Sequence, residues 1–141
     1  DRHVIVDWSA ANAPKRGRDS IWMCGMEIAG GQVRETALDN IATRDLAMQR
    51  LYAMIDDALA ANKRLCIGLD FAFGYPRGGA KRITGQGRWE EMWIHLAANV
   101  QDDEANKSNR FDLAAKLNRE AFDGLEGPFW GRTAIMVAIL D

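Results

Sequence analysis

The sequence predicts an α/β fold in which helices pack on a mixed β-sheet. Two short apolar runs, Val4–Val6 and Leu65–Asp70, have the length and composition of buried strands, and each leads into an aspartate. Two further strand-like runs flank a Gly-Gly pair, which is typical of a hairpin turn. Three other segments carry apolar residues at the 3.6-residue period of helices. Strands and helices that alternate in this way predict a layered α/β domain.

The first part of the chain predicts a three-stranded meander. Val4–Val6 is expected to be a strand buried on both faces, and the loop-forming residues of 10–18 follow it. Ser20–Ile28 and Gln32–Leu38 are the next two predicted strands, joined by a turn at Gly30-Gly31. Because short connections join these runs, we expect each strand to pair with its neighbour in the chain.

The periodicity changes to that of a helix after Thr43. This residue can cap a first helix, which closes at Asn62-Lys63. A second amphipathic helix is predicted over 89–100, and a third begins after a cap at Ser108 or Asn109. Both of these later helices follow the second apolar strand.

The remaining segments complete the order of elements. Gly74, Pro76 and Gly78-Gly79 predict a long loop, and the apolar run Ala134–Leu140 predicts a last strand. The order is then β-β-β-α-β-α-α-β, the arrangement of ribonuclease H-like folds, in which the strand after the first helix returns parallel to the first strand. We expect a single domain over residues 1–141, truncated at its C-terminus, because the last apolar run ends the chain without a polar flank.

Composition excludes several classes of protein. The chain has 141 residues, of which 48% are apolar, and no apolar run is as long as a membrane helix, so disorder, a long coiled coil and a membrane span are excluded. Its 18 basic and 20 acidic residues give a net charge of -2, which argues against a uniformly cationic nucleic-acid binder. Cys24 and Cys66 lie in apolar runs and are expected to be buried, reduced thiols of a cytoplasmic protein.

Asp7 and Asp70 are the residues that most clearly suggest chemistry. Each is the first charged residue after a predicted buried strand. If the two strands are adjacent and parallel, both carboxylates emerge at the same carboxyl edge of the sheet. Two such carboxylates can share divalent cations that stabilise the attacking and leaving oxygens of a phosphodiester displacement. The alternative is that each aspartate only ends its strand and caps the next turn.

Two loops that follow these aspartates are basic. The stretch Trp8–Arg18 holds three cations and no acid, and the stretch Phe71–Trp89 holds four cations and no acid. Such loops beside a carboxylate pair suit a polyphosphate or nucleic-acid ligand, since phosphate contacts dominate the affinity for these ligands. The alternative is a pair of loops whose charges are merely solvated. The seven cations are Lys15, Arg16, Arg18, Arg77, Lys81, Arg82 and Arg88.

The strings around the two aspartates resemble those of a known family. Val4–Ala10 and Ile67–Pro76 are similar to the two signature strands of an uncharacterised ribonuclease H-like family of predicted nucleases. Asn109–Asp112 and Gly127–Gly131 resemble two later segments of that family. The resemblance implies a metal-dependent nuclease or phosphodiesterase, with Asp7 and Asp70 as ligands of Mg²⁺ or Mn²⁺.

Further site residues are expected, a third carboxylate from this resemblance and the substrate-binding residues from the basic loops and the residues next to Asp7. Ribonuclease H-like sites usually contain a third carboxylate, and Asp112, which lies in the family-like string, is favoured slightly over Asp45 of the first helix. Each of these two aspartates also has a simpler interpretation. A carboxylate in the first turn of a helix, as at Asp45, is favoured by the helix dipole. Asn109 and Asp112 are spaced as an N-cap and its N3 partner. Ser9 is expected to orient a phosphate, and the alternative is a role in a turn. The expected substrate-binding residues are Ser9, Arg77, Lys81 and Arg82.

Other functions stay open at this point. The runner-up is a non-catalytic ribonuclease H-like module that binds a nucleotide or a partner protein. Close relatives in the family also carry a label of molybdopterin-guanine dinucleotide synthesis, which no glycine-rich nucleotidyltransferase signature supports here. Trp89 and Trp93, four residues apart, are expected in the core, with base stacking as the alternative. No membrane partner is expected.

Overall fold

A computed structural model of the protein describes residues 1–9, 11–72, 74–122 and 129. The predicted last strand, over 134–140, lies outside these residues. No helix in the described part of the chain is long and apolar enough to cross a lipid bilayer. The elements in chain order are β1 (Arg2–Asp7), β2 (Ile21–Ala29), β3 (Gln32–Ile41), α1 (Arg44–Ala60), β4 (Leu65–Leu69), α2 (Gly79–Thr84), α3 (Trp89–Asn99) and α4 (Arg110–Phe122).

The four strands form a mixed sheet in the order β3-β2-β1-β4. β2 pairs antiparallel with both β1 and β3, and β4 pairs parallel with β1. α1 lies between β3 and β4 in the chain and provides the crossover that a parallel pair requires. The turn between β2 and β3 is formed by Gly30 and Gly31, whose φ angles of 58° and 77° suit a tight hairpin. The α/β class and the mixed sheet are therefore confirmed.

The chain divides into two compact units. The first unit comprises Asp1–Phe71 and Asp103–Lys107, and it contains the whole sheet and α1. The second unit comprises Ala72–Asp102 and Ser108–Asp141, and it contains α2, α3 and α4.

The core of the first unit lies between α1 and one face of the sheet. Thr43 caps α1 as predicted, because its hydroxyl accepts a hydrogen bond from the backbone N–H of Leu46 at 3.3 Å. Ala47 and Leu51 of α1 are buried against side chains of the strands, and this apolar contact stabilises the unit. The buried strand side chains are Val4, Val6, Ile21, Met23 and Ile41.

The other face of the sheet is more exposed than the sequence predicts. The expectation that the first strand is buried on both faces is wrong, because Ile5, between two buried valines, is 51% exposed. Alternation along the strands places Cys24 and Cys66 on this same face, opposite α1. The expectation of two buried cysteines is also wrong, since Cys24 is half-buried and Cys66 is exposed.

The second unit contains one helix that the sequence does not predict. α2 begins inside the stretch expected to be a loop, and its caps are Gly78 and Gly85, both in the left-handed conformation. With only 6 residues it is too short to show an apolar period. α3 and α4 lie where helices are predicted. The expectation that Trp89 is in the core is wrong, because this side chain is 65% exposed, whereas Trp93 is half-buried.

Candidate active site

The two aspartates predicted to act together lie at the same edge of the sheet. Asp7 is the last residue of β1, and Asp70 directly follows β4. The parallel register aligns Val6 with Leu69, and the N–H of Asp70 continues the pairing by donating to the carbonyl of Val6 at 3.3 Å. Both aspartates are exposed. The predicted meeting of two carboxylates at the carboxyl ends of adjacent strands is therefore found within the first unit.

The carboxyl groups of Asp7 and Asp70 are close enough to interact. Partial desolvation, then a hydrogen bond to the Asp70 carboxyl, then the negative charge of Asp70 raise the pKa of Asp7 above its usual value. Two carboxyls that interact across one edge of a sheet can also bind a cation together. The backbone N–H of Trp8 donates to Oδ1 of Asp70 at 2.7 Å, which fixes the orientation of that carboxylate.

A cleft of about 470 Å³ lies beside Asp7. Trp8 and Trp22 supply apolar surface to this cleft, and Lys15, Arg18 and Asp19 supply charges. The ring of Trp8 meets that of Phe71 edge to face, with 6.2 Å between the ring centroids, so residues next to each aspartate in the chain pack on one another. A group of the size of a phosphodiester can enter this cleft next to the carboxyl pair.

The loop that lines this cleft around Gly17 is fixed to the sheet by hydrogen bonds. The carbonyl of Gly17 accepts from Oγ of Ser20 at 2.6 Å and from Nε1 of Trp22 at 3.1 Å. The N–H of Gly17 donates to Oδ1 of Asn40 at 2.7 Å, and Nδ2 of the same asparagine donates to Ser20 Oγ at 2.6 Å. These hydrogen bonds hold the loop where it lines the cleft beside Asp7.

The cations of this first loop are already engaged. Nζ of Lys15 and Nε of Arg18 lie 3.4 Å and 3.7 Å from Oδ2 of Asp19, and Arg16 donates to the carbonyl of Asn40. Asp19 stands one residue beyond the acid-free stretch that the sequence shows. The positive charge available to a ligand in this loop is therefore smaller than the count of its cations.

Ser9 has a structural role in this arrangement. It is only 8% exposed, and its hydroxyl donates to the carbonyl of Asp19 at 3.0 Å while accepting from the N–H of Ala11 at 3.1 Å. Its single hydroxyl proton is thus used inside the protein, which matches the turn alternative for this residue.

Two residues that the sequence did not single out hold the start of the same loop. The guanidinium of Arg44 donates to the carbonyls of Ala11 at 2.8 Å and Asn106 at 2.7 Å. Asn106 is 1% exposed, accepts from the N–H of Arg44 through Oδ1 at 2.8 Å and donates to the carbonyls of Ala13 and Ala42. Arg44, Ala13 and Ala42 each lie 62 or more residues from Asn106 in the chain, so no local sequence pattern could reveal these contacts.

The other predicted site residues are placed as follows. Asp45, in the first turn of α1, accepts from Gln49 at 2.7 Å. Asp112 is exposed in the first turn of α4, in the second unit. The second unit also holds the predicted phosphate ligands Arg77, Lys81 and Arg82, all exposed. A third ligand at Asp112 and phosphate binding by these three cations stay predictions.

The carboxyl pair fits a divalent cation by the chemistry of its donors. Mg²⁺ commonly binds through one or two carboxylates and completes its shell with water and substrate oxygens, and Asp7 and Asp70 offer such a pair. Among residues 1–9, 11–72, 74–122 and 129, no group of three or more His, Cys, Asp or Glu side chains is arranged to hold a metal ion. Within these residues, an ion bound at this pair would take its remaining ligands from water and substrate.

Comparison with known proteins does not place the chain in a family. No protein-family model, no curated protein and no solved structure matches it. The resemblance to ribonuclease H-like nucleases therefore depends on the sequence strings alone.

Proposed function

We propose that the protein is a divalent-metal-dependent phosphodiester hydrolase with a ribonuclease H-like fold. The observation that carries this proposal is the placement of two exposed, interacting carboxyls, those of Asp7 and Asp70, at the carboxyl ends of two adjacent parallel strands. Two like charges held together in this way are unfavourable unless a proton or a cation lies between them. Such a pair has little value as a structural feature, and it suits a metal site.

Asp7 and Asp70 would hold Mg²⁺ or Mn²⁺ between them. The bound metal would act as a Lewis acid on the phosphate and on an attacking water. The N–H of Trp8 donates to Oδ1 of Asp70 and would hold this carboxylate in place for an ion. The hydrogen-bonded loop at Gly17 would limit where the scissile group can lie in the cleft.

The alternative is a ribonuclease H-like module that binds a ligand without cleaving it. The close, exposed carboxyl pair supports the enzyme. Within the residues that the structure describes, no third carboxylate is arranged with the pair to hold a metal ion, which supports the module. Turnover separates the two, because both would bind a ligand but only the enzyme would cleave one.

Hydrolysis of phosphodiesters in the presence of Mn²⁺ tests the proposal. Wild-type protein should cleave at least one of a single-stranded oligonucleotide, a branched oligonucleotide and a small chromogenic diester. Asp70→Asn should abolish this cleavage, and Asp56→Asn, which changes an exposed aspartate of α1 in the same unit, should leave it intact. Cleavage by Asp70→Asn at the wild-type rate, or no cleavage of any of the three by wild type, would overturn the proposal in favour of the module.

A further inference from the structure

We propose that the second unit carries a cleft that binds single-stranded nucleic acid, with a base stacked on Trp89 and phosphates held by Arg77 and Lys81. The inference rests on the proposed function in one respect, because it names single-stranded nucleic acid as the substrate of the proposed hydrolase. Binding itself needs neither metal nor hydrolysis, so it can be tested separately.

The cleft combines aromatic rings with positive charge. Its volume is about 390 Å³, and Tyr75, Trp89 and Trp93 supply its rings, while Arg77 and Lys81 supply its charges. No acidic side chain is among the described residues that line it. Bases have apolar faces and phosphates are anionic, so this lining matches both parts of a nucleotide.

Trp89 is available to a ligand. Its side chain is 65% exposed, which is a large apolar area to leave in water. Trp93 and Tyr75 already contact each other, with ring centroids 6.1 Å apart, whereas Trp89 has no ring partner in the described part of the chain. Rings of this kind in basic grooves are sequence-tolerant stacking platforms, because every base has a flat face.

The two cations are also available. Within the described residues, the side chains of Arg77 and Lys81 have no hydrogen-bond or ion-pair partner, and both are exposed. The nearby Arg88 differs, because it pairs with Glu90 at 3.6 Å. A phosphate can therefore contact Arg77 and Lys81 without breaking an ion pair within the protein.

A second cleft makes the binding surface longer than one nucleotide. It has a volume of about 320 Å³, is lined by Arg82 and Phe122 and shares the segment Tyr75–Gly78 with the first cleft. The guanidinium of Arg82 lies 5.3 Å from the centroid of the Phe122 ring, so charge and an aromatic face occur together here as well. Two such clefts side by side favour a polynucleotide over a free nucleotide. Stacking on a protein ring requires an unpaired base, which favours a single strand over a duplex.

Fluorescence anisotropy of a labelled 15-nucleotide oligo-dT, measured with the full chain in EDTA, tests the inference. Wild type should bind, and Trp89→Ala should weaken binding by about 5- to 150-fold, the range for loss of one stacked base. Trp89→Phe keeps an aromatic face and should recover part of the loss. Ile94→Ala removes another exposed apolar side chain of α3, 62% exposed, and should bind as wild type does.

The arms of the experiment separate the possible outcomes. Equal binding by Trp89→Ala and wild type would overturn the inference, and so would equal binding of a duplex or of polyglutamate, since either would indicate charge alone. Asp70→Asn should bind oligo-dT normally. Wild type that binds oligo-dT and cleaves nothing refutes only the proposed hydrolase, whereas wild type that cleaves a small diester and does not bind oligo-dT refutes only the cleft.

Discussion

Two basic loops that look alike in the sequence differ in what their cations contact. In the first unit, Lys15 and Arg18 face Asp19, and hydrogen bonds fix the loop to the sheet. In the second unit, Arg77 and Lys81 have no side-chain partner among the described residues. An acid-free stretch therefore does not show whether its charge is available, because the neutralising residue can stand just outside it. The first loop forms the wall of a site, and the second has charge to offer a ligand.

Substitution of the carboxyl pair should produce the largest change in activity, and it should affect hydrolysis in the first unit but not oligo-dT binding by the second. Asp70→Asn should lower metal-dependent hydrolysis by about 100-fold or more, because one of two proposed metal ligands is lost. The same variant should bind oligo-dT in EDTA within about twofold of wild type, since its charge change lies outside the cleft of the second unit. Parallel loss of both activities would show that the two units do not act separately.

Alanine substitutions in the two loops compare their cations directly. Arg77→Ala with Lys81→Ala should weaken oligo-dT binding by about tenfold or more at low salt, and should make the slope of log K against log salt shallower by about 1.4. Lys15→Ala with Arg18→Ala removes the same charge from the first loop and should change binding by less than about threefold. Anisotropy titrations from 50 to 200 mM salt measure both effects. Equal effects of the two pairs would contradict the distinction between paired and free cations.

Asn106 tests whether the first loop depends on its buried anchor. Asn106→Ala leaves the N–H of Arg44 and the carbonyl of Ala13 without their partner, and it places alanine at a φ of 68°. We expect a loss of about 1–3 kcal/mol in the free energy of unfolding, measured by urea denaturation. Asn99→Ala, at an exposed asparagine of α3, is the matched control and should cost less than about 0.5 kcal/mol. Similar losses for both variants would contradict the role of Asn106 as an anchor of the first loop.

The pH dependence of stability should show the smallest effect. The raised pKa of Asp7 means that the folded protein holds this proton more tightly than the unfolded chain does. The proton on Asp7 therefore stabilises the folded protein below the usual pKa of 3.8, and this stabilisation is lost as pH rises through the raised pKa. Asp7→Asn should lack this loss of stability with rising pH and should be at least as stable as wild type at neutral pH. Thermal denaturation between pH 3 and 7 measures the difference, and a variant that is less stable at pH 7 would contradict it.

The sequence predicted what depends on local pattern and on strand register. After the crossover helix α1, the apolar strand β4 returns parallel to β1, so the position of Asp7 and Asp70 at one edge follows from the topology. α2 was not predicted because glycines bound a helix of 6 residues. The pairing of Lys15 and Arg18 with Asp19, and the anchoring of Arg44 by Asn106, depend on the path of loops. The exposure of Ile5 and Trp89 depends on which faces are covered, which periodicity alone does not show.

Titration of Mn²⁺ into the protein by isothermal calorimetry tests most directly whether the carboxyl pair is a metal site. Wild type and Asp56→Asn should each bind Mn²⁺ at the pair, and Asp7→Asn and Asp70→Asn should each lose that binding. Affinity should rise with pH through the raised pKa of Asp7, because a carboxylate must lose its proton to bind the ion. Absence of binding by wild type, or undiminished binding by either variant of the pair, would contradict the account.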